Sequence, residues 1–176
     1  MKIIKLNDKR YPIKVELATG ERMIIPEQKY FKNKFLRKHG CSLMAEYIAL
    51  QYMGVKRIGK KKLYPLHLLS WHKAHTKNAI KSKVTLKGVF AGLKKLGTGK
   101  ATYTRVPTAE KIKAALDAGY LVIMERGKPI HTITMVQEDG VNYLLDHGKR
   151  KEINVDKIAK RATKNETYRG MIVVRP

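Results

Sequence analysis

The sequence predicts an α+β fold within a single domain that spans residues 1–176. In the middle of the chain, apolar residues recur at helical spacing, as Leu86, Val89, Phe90 and Leu93 do. After about residue 120 the pattern changes to short apolar runs bounded by turn residues, which is typical of strands. Helices that precede an antiparallel sheet, rather than alternating with its strands, indicate the α+β class.

Three short strands are predicted at the start of the chain, within a β extension that covers residues 1–25. They are Lys2–Leu6, Tyr11–Leu17 and Arg22–Ile25, and turn-forming residues separate them. Pro26 then interrupts the extended pattern.

Four helices are predicted after this extension. Their ranges are Cys41 to about Met53, Leu66–His75, Thr85–Leu96 and Ala109–Ala118. Gly54 follows the first helix at the position where glycine commonly ends helices, and Thr108 can cap the last one. The basic stretch from Lys56 to Lys62 is expected to be a loop.

The C-terminal part is predicted to contain four strands and one short helix. The strands are Tyr120–Glu125, Ile130–Gln137, Val141–Asp146 and Gly170–Val174, and the helix is Asp156–Arg161. Asp139-Gly140, between the second and third of these strands, is a strong signal for a two-residue hairpin turn.

Charge is the most unusual feature of the composition. Thirty-eight Lys and Arg residues against 14 Asp and Glu give a net charge of +24 with neutral histidines. Such a field attracts nucleic acid, anionic membrane surfaces and acidic polypeptides alike. The basic residues are spread along the chain and no nucleic-acid-binding motif accompanies them, so nucleic acid is a weakly supported partner.

The sequence contains no run of apolar residues that is typical of a signal peptide or a membrane span. A cytoplasmic location is therefore the default expectation, with export left open.

A single cysteine excludes an internal disulfide and a CxxC pair for zinc or redox chemistry. His67, His72 and His75 lack acidic companions nearby in the sequence, so neither a metal nor another cofactor is expected. The oligomeric state is not predicted.

Cys41 is the only cysteine, and it lies where Gly40 meets the start of the first predicted helix. A helix start offers unpaired backbone N–H groups and the positive end of the helix dipole, which favour a thiolate over a thiol. The alternative is a buried packing cysteine without reactivity. A base within reach would favour the reactive interpretation.

His131 is the histidine that the strand pattern places best for this role. If Asp139-Gly140 is a two-residue turn, Asp146 falls opposite Ile133, and His131 and Asp146 share a face as diagonal neighbours. Such neighbours are about 7–8 Å apart at the backbone, which an imidazole and a carboxylate can bridge. The same register predicts that His147 lies on the opposite face.

The order of cysteine, histidine and aspartate resembles that of the papain-like cysteine peptidases. More narrowly, it is similar to the bacteriocin-leader-processing peptidase family and its stand-alone relatives. Three segments between about Pro26 and Val174 carry the resemblance: Gly40-Cys41 through Gln51-Tyr52-Met53-Gly54, Thr108 through Val122, and His131 followed by Asp139-Gly140 and Tyr143-Leu144-Leu145-Asp146. The chain departs from the family pattern after the cysteine, where Ser42-Leu43-Met44 replaces the frequent Gly-Pro-Thr or Gly-Pro-Ala.

The resemblance implies a papain-like fold whose N-terminal helical part carries the cysteine and whose C-terminal sheet carries the other two residues. It implies thiol hydrolysis of a peptide or amide bond, with Cys41 as nucleophile, His131 as general base and then acid, and Asp146 as the orienting residue. The backbone N–H of Cys41 and the side chain of Gln28 are the expected oxyanion donors.

The expected partner is a peptide or protein substrate, and the net charge favours an acidic one by electrostatic steering. Three other functions stay open at this point. The chain could be a non-catalytic basic module that binds nucleic acid or another polyanion, an acyl or amide transferase, or an inactive papain-fold protein that binds peptides.

Overall fold

A computed structural model describes residues 1–76, 84–126, 131–158 and 168–176. Helices and antiparallel sheets make up these segments, which confirms the predicted α+β class. The largest sheet has six strands in the order β10-β9-β8-β7-β11-β6, and every neighbouring pair is antiparallel. Its strands are β6 (Lys100–Thr104), β7 (Leu121–Arg126), β8 (His131–Glu138), β9 (Val141–Asp146), β10 (Lys149–Glu152) and β11 (Tyr168–Arg175).

The predicted N-terminal strands form a separate three-stranded antiparallel sheet. Its members are β1 (Lys2–Lys5), β2 (Ile13–Glu16) and β3 (Arg22–Ile25). Val15, Met23 and Ile25 are fully buried in the main hydrophobic core. The N–H of Ala18 donates to the carboxylate of Glu138 on β8 at 2.6 Å, so this sheet is also tied to the larger one by a hydrogen bond.

Five α-helices lie between residues 34 and 117 of the described segments. They are α1 (Lys34–His39), α2 (Cys41–Tyr52), α3 (Pro65–His75), α4 (Leu86–Leu96) and α5 (Ala109–Asp117). Four of them match the predicted helices, and the Thr108 hydroxyl caps α5 as predicted, accepting from the N–H of Lys111 at 3.3 Å. Gly54, after α2, has a φ of +79°, which a glycine adopts without strain.

The helices cover both faces of the six-stranded sheet. On one face, α2 contributes Leu43, Ile48 and Leu50 to the main core. On the other face, Ile112 and Leu116 of α5 form a second core with strand residues of the opposite pleat. The start of α2 therefore lies against the sheet, and the sheet interior excludes water on both sides.

Several short elements differ from the sequence-based expectation. The basic stretch predicted to be a loop contains a two-stranded hairpin, formed by β4 (Arg57–Ile58) and β5 (Lys61–Lys62). Helix α1 and the outer strands β6 and β10 are also absent from the prediction, because their polar sequences carry little periodic apolar signal. Residues 155–158 are helical, and the remainder of the predicted helix Asp156–Arg161 lies outside the described residues.

Candidate active site

A tight junction between two helices places Cys41 at the start of α2. Helix α1 ends at His39, and only Gly40 separates it from Cys41. The Gly40 N–H donates to the Leu36 carbonyl at 3.1 Å, and a Cβ at position 40 would overlap that same carbonyl. The junction consequently requires glycine, and it leaves Cys41 half-buried at the first position of a twelve-residue helix.

The β8–β9 hairpin brings His131 and Asp146 together. Glu138 pairs with Val141 and Thr134 with Leu145, which is the register that the Asp139-Gly140 turn predicts. The Nε2 atom of His131 lies 2.6 Å from Oδ2 of Asp146, although the two residues are 15 positions apart. Both side chains are about one fifth exposed, at 23% and 18%, so this ion pair is only partly screened by water.

His131 and Cys41 alter one another's ionisation. Burial raises the pKa of the Cys41 thiol, but hydrogen bonds with His131 and Thr132 and the charge of His131 outweigh it, so the pKa is lowered overall. The hydrogen bond with Asp146, followed by that with Cys41, raises the pKa of His131 to about 10. A raised imidazole pKa beside a lowered thiol pKa favours a thiolate–imidazolium pair over a neutral thiol and imidazole.

A pair of buried hydroxyl groups, those of Thr132 and Ser42, is linked to the Cys41 sulfur through Thr132. Thr132, next to His131 on β8, has its Oγ1 atom 3.8 Å from the Cys41 sulfur. The same Oγ1 atom lies 2.7 Å from the hydroxyl of Ser42, and both residues are 2% exposed. When Cys41 is a thiolate, Thr132 can donate to the sulfur and accept from Ser42, so all three groups are satisfied.

His147 lies beside the His131–Asp146 pair, so the prediction that it falls on the opposite face is wrong. Strand β9 ends at Asp146, and His147 and Gly148 form a turn with φ values of +47° and +65°. This turn removes His147 from the strand's alternation and stacks its ring on that of His131, with centroids 4.9 Å apart and planes 2° apart. Its Nδ1 atom lies 3.8 Å from a carboxylate oxygen of Glu27.

The expected oxyanion donors lie on the same cleft as Cys41. The side-chain nitrogen of Gln28 donates to the Arg37 carbonyl at 3.2 Å, which anchors the amide to the last turn of α1, the helix that ends two residues before Cys41. Only one of its two N–H groups is used in this bond. Among the described residues, the Cys41 N–H has no backbone hydrogen-bond partner, as expected for the first residue of a helix.

A cleft of about 460 Å³ joins these groups. It is lined by Glu27, Gln28, Lys29, Arg37, Lys38, Cys41, His131, His147 and Lys149. A larger cavity of about 640 Å³ lies near the β2–β3 turn and the end of α2, but neither histidine nor cysteine lines it. The smaller cleft is therefore the better candidate for chemistry, because the thiol and the imidazole both open into it.

Three side chains of this cluster could also hold a metal ion. One potential ligand atom from each of His131, Asp146 and His147 lies within 4.8 Å of the others. In the arrangement described, His131 Nε2 is instead bonded to Asp146, and the two imidazole rings are parallel. A metal would have to displace the proton of that bond and turn at least one ring.

Two of the histidines considered and set aside as metal ligands from the sequence have structural partners. His72 is fully buried, and its Nε2 atom lies 2.7 Å from a carboxylate oxygen of Glu46 on α2. Burial raises the pKa of Glu46, and the bond with His72 partly offsets this effect. His75 stacks on Trp71 with ring centroids 4.8 Å apart. The His72–Glu46 pair joins α3 to α2, the helix that carries Cys41.

Sequence reasoning missed Ser42, Thr132 and His147. The two hydroxyl residues meet only through packing of α2 against β8, and no local pattern reports that contact. His147 could have been found from His147-Gly148, a second turn-like dipeptide that joins β9 to the polar strand β10, had β10 been recognised.

Comparisons with protein-family models, curated proteins and solved structures give no significant match to this chain. Within the part of the chain that the structure describes, none of the helices is both long and apolar enough to cross a bilayer.

Proposed function

We propose that the protein is a papain-like cysteine peptidase or a closely related thiol hydrolase of amide bonds. The observation that carries the proposal is the arrangement of three side chains, in which Asp146 holds His131 at 2.6 Å and His131 and Cys41 line one cleft. Asp146 raises the pKa of His131, and His131 helps to lower that of Cys41. A core cysteine with a purely packing role has no need of a charged histidine that is itself oriented by a carboxylate.

The fold supports the papain-like interpretation. The thiol is on the first residue of α2, and α2 packs on the sheet whose adjacent strands β8 and β9 carry the other two residues. The imidazole thus comes from a rigid strand and the sulfur from a rigid helix start. This division of the site between a helical part and a sheet is what the sequence resemblance implies.

In the proposed reaction, the Cys41 thiolate attacks the carbonyl carbon of the substrate amide and forms a C–S bond. The electron pair of the C=O bond moves to oxygen, where the Cys41 N–H and the free N–H of Gln28 stabilise the negative charge. Because His131 Nε2 is held by Asp146, Nδ1 is the ring nitrogen left to exchange a proton at the reacting atoms.

Collapse of this intermediate breaks the C–N bond, and the His131 imidazolium gives its proton to the leaving amine. A thioester between the substrate acyl group and Cys41 remains. Water then attacks the thioester while His131 takes its proton. Collapse of this second intermediate breaks the C–S bond, which releases a carboxylic acid and restores the Cys41 thiolate beside the His131 imidazolium. Each step uses only the three side chains and the oxyanion donors.

The test is the hydrolysis of a diverse peptide mixture, followed by mass spectrometry of the new termini. The wild-type protein is expected to generate defined cleavages that Cys41→Ala and His131→Ala abolish. His75→Ala is the matched control, because it removes an exposed histidine outside the cleft.

The rate at which iodoacetamide alkylates Cys41 measures the reactivity of the nucleophile directly. Cys41 is expected to be alkylated faster than a free thiol at mildly acidic pH, and His131→Ala should slow the reaction strongly. Equal rates in the two proteins, together with no peptide cleavage, would refute the proposed function. Fast alkylation without cleavage of any peptide would favour an inactive peptide-binding protein.

A further inference from the structure

The cleft that holds Cys41 is lined by cations from two separate elements, the end of α1 and the start of β10. Arg37 and Lys38 come from the last turn of α1, immediately before the cysteine, and Lys149 comes from the first residue of β10. All three side chains are exposed. Within the described segments, none of the three has a carboxylate partner within 4.0 Å.

The single acidic residue in the cleft does not neutralise this border. Glu27 is 6% exposed, and one of its carboxylate oxygens accepts from the backbone N–H of Lys29 at 3.4 Å. Its other near neighbours are the Lys29 ammonium and the His147 ring, each 3.8 Å away. The carboxylate is therefore engaged by the Lys29 ammonium, the Lys29 N–H and the His147 ring, and Arg37, Lys38 and Lys149 face solvent.

We propose that this cleft takes an acidic polypeptide segment, with Asp or Glu side chains of the substrate pairing with Arg37, Lys38 and Lys149 beside the bond that is cut. The inference rests on the proposed function, which it extends to a class of substrate. The cations come from both α1 and β10, so acidic residues at more than one position of the substrate find a partner.

The lining favours a polypeptide over a nucleic acid. Single-stranded nucleic acids are usually held by a basic groove combined with aromatic side chains on which the bases stack. None of the described residues that line the cleft is Phe, Tyr or Trp. The group at its centre is a thiol paired with an imidazole, which suits attack on a carbonyl carbon.

A pair of small reagents tests the charge of the cleft. Iodoacetate and iodoacetamide alkylate Cys41 by the same displacement of iodide, but only iodoacetate is an anion. A cation about 8 Å away in water changes the local concentration of an anion about twofold, so three cations together change it about tenfold. The ratio of the two alkylation rates isolates this effect from the intrinsic reactivity of the sulfur.

The test variant is Arg37→Gln/Lys38→Gln/Lys149→Gln. The control is Lys87→Gln/Lys95→Gln/Lys111→Gln, which removes the same charge at exposed positions on α4 and α5 that do not line the cleft. The test variant is expected to lower the iodoacetate-to-iodoacetamide ratio about tenfold at low salt, and the control by less than about twofold. Equal losses in both variants would overturn the proposal, because the effect would then belong to the net charge.

The wild-type protein provides a measurement that does not depend on folding of a variant. Hexaglutamate is expected to protect Cys41 from iodoacetamide, and added salt should remove the protection. Hexalysine should not protect. The comparison is an oligothymidylate of the same charge as hexaglutamate. If it protects Cys41 better than hexaglutamate does, the cleft binds nucleic acid and the proposal is wrong.

Failure of this inference can be distinguished from failure of the proposed function. If Cys41 reacts rapidly with iodoacetamide but neither the rate ratio nor hexaglutamate protection depends on the three cations, only the acidic-substrate proposal is wrong. If Cys41 reacts with both reagents no faster than a free thiol, both proposals are wrong.

Discussion

Replacement of Thr132 by valine tests whether the buried hydroxyl pair stabilises the thiolate. Valine has nearly the same shape but cannot donate to the Cys41 sulfur, which lies 3.8 Å from the threonine oxygen. A hydrogen bond to a charged group contributes about 1.5–3 kcal/mol, and the lower end suits this long contact. One pKa unit corresponds to about 1.4 kcal/mol, so the Cys41 pKa should rise by about one unit.

The assay is the pH dependence of Cys41 alkylation by iodoacetamide. Below the pKa of the thiol, Thr132→Val should react about tenfold more slowly than the wild-type protein, because the thiolate fraction falls tenfold for each pKa unit. At high pH the two rates should converge. Thr132→Ser, which retains the hydroxyl, is the control and should lie close to the wild type.

The same substitution has a separate effect on stability. It leaves the Ser42 hydroxyl, which is 2% exposed, without the partner 2.7 Å away. An unsatisfied buried hydroxyl costs about 1–3 kcal/mol, so the free energy of unfolding should fall by about that amount. Adding Ser42→Ala removes both partners and should recover part of the loss.

Two results would refute this reasoning. An unchanged Cys41 pKa in Thr132→Val would show that the threonine does not stabilise the thiolate. A double variant less stable than Thr132→Val in chemical denaturation would show that the two hydroxyls are not a mutually satisfied pair.

Three further predictions concern other parts of the site. Asp146→Asn replaces the carboxylate whose hydrogen bond does most to raise the pKa of His131 to about 10, so that pKa should fall. The imidazolium would then be lost at lower pH, so the pH below which the alkylation rate of Cys41 declines should rise by about one unit. An unchanged pH profile would contradict the role of Asp146. Gly40→Ala forces a Cβ against the Leu36 carbonyl of α1, so the free energy of unfolding, followed by circular dichroism, should fall by at least about 1 kcal/mol. The displaced helix start should also slow the alkylation of Cys41, which the alkylation kinetics would show. Added Zn²⁺ should slow the alkylation of Cys41 by competing for the imidazole of His131, and a chelator should restore the rate. His147→Ala should raise the Zn²⁺ concentration required for this inhibition. If the variant and the wild type are inhibited at the same Zn²⁺ concentration, His147 is not a ligand.

The central pair of the site could be predicted because one local signal determined it. Asp139-Gly140 specifies a two-residue turn, and a turn of known length fixes which residues face one another on β8 and β9. The proximity of His131 and Asp146 follows from this register without any knowledge of the rest of the molecule. The helix start at Cys41 was also predictable, since a glycine precedes it and an apolar helix pattern follows.

Elements with little apolar content were not predictable in this way. Strand β10, Lys149–Glu152, is polar along its whole length and exists because Asp146 and Lys149 pair across the His147-Gly148 turn. Helix α1 contributes only Leu36 to the buried core, and its cap is a single hydrogen bond from the Leu36 N–H to Asn33. Such elements depend on pairing and packing partners that sequence periodicity does not report.

By itself, the sequence determined the α+β class, the main helices and strands, and the alignment of His131 with Asp146. Only the tertiary structure decided what surrounds Cys41. The Ser42–Thr132 contact, the stacking of His147 on His131 and the cations that α1 and β10 bring to one cleft join residues from different elements. Turn chemistry and helix starts act over a few residues, whereas these contacts depend on how α1, α2 and the sheet pack together, which no local stretch of sequence specifies.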